Sequence, residues 1–153
     1  MKHTLIDAVW SRLPHIARLE FQASPGTASD TQWQGHGMAD VRVESTASAI
    51  RFIESGQFWP HASSPAVSIR NAYLWQRDGQ ALLLSHERLG RESEVFLLRF
   101  TPIAPDTMEG GEPHLCGQDQ YRATLCLTSE GIRLVWAVTG PHKDEHLVQT
   151  YSA

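Results

Sequence analysis

At 153 residues the chain, residues 1–153, has the length of one domain and is large enough to bury a single core without disulfide or metal staples. Its 41% hydrophobic and 20% charged residues are ordinary globular composition, and a net charge of −4 offers no basic surface to follow phosphates, which excludes nucleic acid as an expected partner. No stretch approaches the ~20 apolar residues that span a bilayer, and Met1-Lys2-His3 runs into Asp7, Arg12 and Arg18 without a signal-peptide core. The expectation is a soluble cytoplasmic chain with no membrane partner, whose two cysteines, Cys116 and Cys126, remain thiols.

Thr4 and Asp7 have the spacing of a capping box, and Leu5, Ile6, Val9 and Leu13 recur at helical intervals, so a short helix is predicted from Thr4 to Leu13, stopped by Pro14. Alternation then takes over. Ala17, Leu19 and Phe21 oppose Arg18, Glu20 and Gln22 in a first strand, and Ser24 to Asp30 is loop by composition. Trp33 to Ser45 alternates through Ala39, Val41 and Val43, with Gly35 and Gly37 suggesting a bulge. Ile50 to Phe58 follows, and after a loop from Pro60 to Pro65 come Val67, Ile69, Asn71, Tyr73 and Trp75 on one strand face. Arg77-Asp78-Gly79-Gln80 carries the Asp-Gly signal of a hairpin into Ala81 to His86. Further strands are predicted at Val95 to Thr101, Gln120 to Thr128, Ile132 to Thr139 and Glu145 to Tyr151, with Tyr121, Ala123, Leu125 and Leu127 sharing one face.

About nine short strands joined mainly by tight turns form a meandering antiparallel sheet, and closing that sheet removes its exposed edges. The predicted fold is therefore mainly β, an antiparallel calycin-like (lipocalin-like) barrel with a short N-terminal helix that can plug one end. A β-sandwich is the competing architecture.

Functional side-chain types crowd into two segments, His114-Leu115-Cys116-Gly117-Gln118-Asp119-Gln120-Tyr121 and Gly140-Pro141-His142-Lys143-Asp144, the latter followed by Tyr151. Together with Tyr73-x-Trp75, the ordered elements His-x-Cys-x-x-Asp-x-Tyr and Gly-Pro-x-Lys-Asp resemble the signatures of the bacterial family catalogued only as domain of unknown function 6314. The resemblance covers nearly the whole chain. It implies a lipocalin-like fold and transfers no activity, because the family is uncharacterised.

His114 and Cys116 share a strand face and offer soft ligands, but no third and fourth ligand of suitable type accompanies them, so no metal is expected. The expected site is instead a ligand cavity built from Tyr73, Trp75, His86, His114, Cys116, Asp119 and Tyr121, with Arg70 on the same strand as Tyr73 and Trp75. His86 continues the inward parity of Leu82 and Leu84, Arg88 stands just beyond it, and Lys143 can meet an anionic group at the rim. The partner expected is a small, partly apolar molecule and the oligomeric state, a homodimer included, stays open. No cofactor is expected; eight histidines keep haem on His86 as a competing reading. A cofactor-independent hydrolase or isomerase with His86 or His114 as base, and an interaction module with a filled core, are also compatible with these residues. No residue is assigned a catalytic role.

Overall fold

In the computed structural model, which describes residues 4–29, 34–60, 64–87 and 94–153, the N-terminal segment caps itself as its sequence predicts. Thr4 Oγ1 accepts the Asp7 amide at 3.3 Å while the Asp7 carboxylate accepts the Thr4 amide at 3.1 Å, closing the first turn of α1 (Leu5–Arg12). Ile6 and Val9, with Leu13 in the following 3₁₀ turn (Leu13–His15), are fully buried on one side. The chain turns extended at Ile16, two residues after Pro14.

Strands follow at Arg18–Pro25 (β1), Gly35–Ser45 (β2), Ala49–Trp59 (β3), Val67–Asp78 (β4), Ala81–His86 (β5) and Val95–Ala104 (β6). Two short ones, Thr107–Gly110 (β7) and His114–Cys116 (β8), precede Asp119–Leu127 (β9), Gly131–Thr139 (β10) and Asp144–Ser152 (β11). Every pairing is antiparallel, and β11 returns to β1. Pairing of β9 with both β7 and β10 completes the ring, so the protein is a closed up-and-down barrel of ten strands, with β8 attached only to β9. The nine expected strands are all present; β7 and β8 are additional.

Alternation decides what faces inward. Leu19 and Phe21 of β1, Leu82 and Leu84 of β5, Leu125 of β9 and Leu134 of β10 belong to one apolar cluster. At its centre Phe52, Trp75, Phe100 and Tyr151 form a chain of ring contacts with centroids 5.3–6.3 Å apart. Each such ring or aliphatic side chain contributes about 2 kcal/mol by leaving water. The bulge expected at Gly35 and Gly37 is not what the glycines make. Register on both neighbours runs through Gly37 unbroken, and a Cβ there would fall 2.0 Å from the Phe21 ring, so Gly37 makes room for an aromatic side chain on the adjacent strand. Register shifts lie instead between Leu84 and Ser85 opposite β6, and between Pro102 and Ala104 opposite β7.

The two ends of the barrel differ. At one, α1 is tied across the opening: the Arg12 guanidinium donates to the carbonyls of Thr128 and Gly131 in the β9–β10 turn, and Arg77 at the end of β4 pairs with Asp7 at 2.7 Å. At the other lie the end of β5, the start of β6, the β8–β9 hairpin and the β10–β11 turn. Seven residues separate Thr107 from His114, while five separate their β9 partners Cys126 and Tyr121, so β7 and β8 are one strand interrupted around Gly110–Pro113. Two-residue turns with a left-handed glycine first, Gly79-Gln80 (Gly79 φ 60°) and Gly117-Gln118 (Gly117 φ 63°), close two hairpins; the first is the hairpin that Asp78-Gly79 signals, but Asp78 pairs with Ala81 in the ladder, so the turn sits one residue later than that pair predicts.

Candidate functional site

The end opposite the helix is hollow. A cavity of about 540 Å³ opens there, within the size range of small-molecule sites. Its walls come from successive strand ends: Tyr73 of β4, His86 of β5, Leu97 of β6, His114 of β8 and Tyr121 of β9. Trp136 and Val138 of β10, Lys143 of the turn, and Glu145, His146 and Leu147 of β11 complete them. Most of this surface is apolar or aromatic, with polar groups set among it.

Cross-strand register produces the aromatic pairs. Tyr73 stands opposite His86 and their rings stack at 4.9 Å; His114 stands opposite Tyr121 and their rings meet edge to face at 6.0 Å. The Trp136 indole donates to Gln149 Oε1 at 2.8 Å inside the barrel. Lys143 Nζ lies 3.5 Å from Asp119 Oδ2, and its ammonium is held above the ordinary lysine value, first by the charge field of Tyr121 and then by Asp119. Gly140 lets these two segments touch: a Cβ on it would fall 2.0 Å from Asp119 Oδ1.

A second polar group lies deeper. Glu54 of β3 is 1% exposed, and Tyr151 OH donates to its Oε2 at 2.6 Å while Oε1 has no hydrogen-bond partner among the described residues. Burial pushes the Glu54 carboxyl up to about 7, partly countered by the Tyr151 hydrogen bond, and burial first, then Glu54 and Tyr73, raises Tyr151 well above its usual value.

Of the residues singled out in the sequence, Tyr73, His86, His114, Tyr121 and Lys143 come together on the cavity wall, and Asp119 contacts it through Lys143. Trp75 shares the Tyr73 face but lies one step further in, packed between Phe52 and Phe100 in the core. Arg70 is exposed on β4, and Cys116 is an exposed free thiol on β8. Arg88 lies outside the described residues, as does Trp33. Among the described residues no three His, Cys, Asp or Glu side chains converge as a metal site. Sequence reasoning passed over Leu97, Trp136, Val138, Glu145, His146 and Leu147; the inward parity of β10 and β11 marks four of them, but only the position of the hollow along the barrel axis separates them from core residues.

A closed antiparallel barrel, plugged by a helix at one end and hollow at the other, is the class of protein these features define. The chain belongs to the family of unknown function DUF6314, whose model matches residues 19–153 and so leaves α1 outside the matched span. No curated protein and no solved structure matches the chain. Among the described residues no helix is long and apolar enough to cross a membrane.

Proposed function

We propose that this barrel binds one compact, partly apolar molecule in its open end. The observation that carries the proposal is the cavity of about 540 Å³ in which apolar walls converge with Tyr73, His86, His114, Tyr121 and Lys143, the mixture by which a pocket gains affinity from burial and orientation from a few polar contacts. The closed opposite end supports binding over passage. We take the barrel to be calycin-like on its up-and-down closure alone, the location to be cytoplasmic on the two free thiols, and no cofactor to be needed.

Native mass spectrometry of the protein purified from its own host tests this. A retained small-molecule mass increment that disappears when Val138→Trp fills the cavity is the expected result. An unliganded spectrum, together with no saturable response to apolar probes, would favour an interaction module. The convergence of three imidazoles and two phenols on one hollow also supports an acid–base catalyst as a second reading, with His86 or His114 as base.

A further inference from the structure

We infer that the cavity selects a compact aromatic anion, with its ring against the aromatic wall and its carboxylate on Lys143 in place of Asp119. This rests on the cavity being a binding site and deepens that reading to a ligand class.

Compactness follows from where the hollow stops. Phe52, Trp75, Phe100 and Tyr151 occupy the barrel below it, none of them lines it, and α1 closes the far end, so a long alkyl chain has no channel to enter. Aromatic character follows from the wall. Tyr73, His86, His114, Tyr121 and Trp136 line it from several strands, and a planar ring gains offset-stacked or edge contacts with such side chains that a branched aliphatic group does not.

The sign of the charge is decided by which ionic group still has capacity. Glu145 is nearly buried and already engaged within the protein. Lys143 is different: its side chain is 35% exposed, and its contact with Asp119 at 3.5 Å is longer than the roughly 2.7–2.9 Å of a strong charge-assisted hydrogen bond. An ammonium has three donors, and this contact engages only part of that capacity. Asp119 thus acts as an internal stand-in that neutralises Lys143 until a better-placed carboxylate arrives, and Gly140 holds it there by leaving space for its side chain.

Isothermal titration of the full chain with 2-naphthoate, 2-naphthamide and 2-naphthylmethylammonium, three probes of nearly one shape, tests the inference. Naphthoate should bind about tenfold or more tighter than the amide, the scale of one charge-assisted hydrogen bond. Lys143→Met should erase that preference by bringing naphthoate affinity down to that of the amide, Lys143→Arg should retain it, and Asp119→Asn should strengthen naphthoate binding by removing its competitor. Equal affinity for naphthoate and amide, a preference that survives Lys143→Met, or tightest binding of the ammonium probe would each overturn the ligand class while leaving the cavity a binding site. Binding of none of the three would overturn both.

Discussion

Glu54 and Tyr151 are the least comfortable residues of the interior. A carboxyl that is neutral below about 4.5 in the unfolded chain stays neutral to about 7 in the barrel, because burial opposes its charge. Since the folded value is the higher one, the protein's stability from this group is fully present below the unfolded value, falls as pH rises between the two, and is lost above the folded one. The span corresponds to a cost on the order of 3 kcal/mol at pH 8. Glu54→Gln, which keeps the size and an acceptor for Tyr151, should flatten urea stability between pH 5 and pH 8 and raise it at the upper end; an unchanged pH profile would show that Glu54 ionises without penalty. His86 and His114 separate binder from enzyme at the same scale. In a binder, His→Gln at either position weakens affinity by about tenfold or less, one neutral hydrogen bond, whereas in an acid–base enzyme turnover falls about a hundredfold or more with affinity nearly kept. Parallel binding and turnover measurements on both variants decide it.

Elements differ in how openly the sequence announces them. The α1 cap is legible because Thr4 and Asp7 interact within a single turn, and Thr4→Ala should cost about 1 kcal/mol in a thermal or urea melt. Strands β9 and β10 are legible because each has one buried face and a two-residue period, and the face predicted for Tyr121, Ala123, Leu125 and Leu127 is the inward one; β5, buried on both faces, is legible from the Asp-Gly turn before it. Strands β7 and β8 are not, being four and three residues long and split by Gly110-Gly111-Glu112-Pro113, too short for any period to show. The same limit governs the site. Tyr73 and Trp75 look alike in sequence, yet two residues of strand, about 7 Å, place one on the cavity wall and the other in the core. That difference is set by how far neighbouring side chains fill the barrel, a property of all its strands together and of none alone. His114 and Tyr121 stand out in the sequence by residue type as candidates for a cavity wall; that Trp136 and Leu147 complete its surroundings is not legible there.

At the scale of the molecule, one end is closed by the helix and the other carries the hollow, so the two should respond separately to change. Trp136 lines the cavity and Trp75 does not, which makes Trp136 the optical reporter of occupancy. An apolar probe should quench the wild-type protein saturably and the Trp136→Phe variant far less, with the Trp75 contribution unmoved. Quenching that persists in Trp136→Phe would place the probe elsewhere.

The interruption between β7 and β8 also shapes the wall itself. Strand β6 meets β7 only from Phe100 onward, and β8 stays with β9, so among the described residues nothing pairs with Val95–Leu98 on the side away from β5. This unpaired run of β6 carries Phe96, exposed at 54%, and next to it Leu97, which lines the cavity. The run is a short stretch of sheet edge with no ladder partner among the described residues, where another strand could add. Amide hydrogens of Val95–Leu98 that point away from β5 should exchange with solvent well ahead of those facing β5, and should slow when the cavity next to Leu97 is filled.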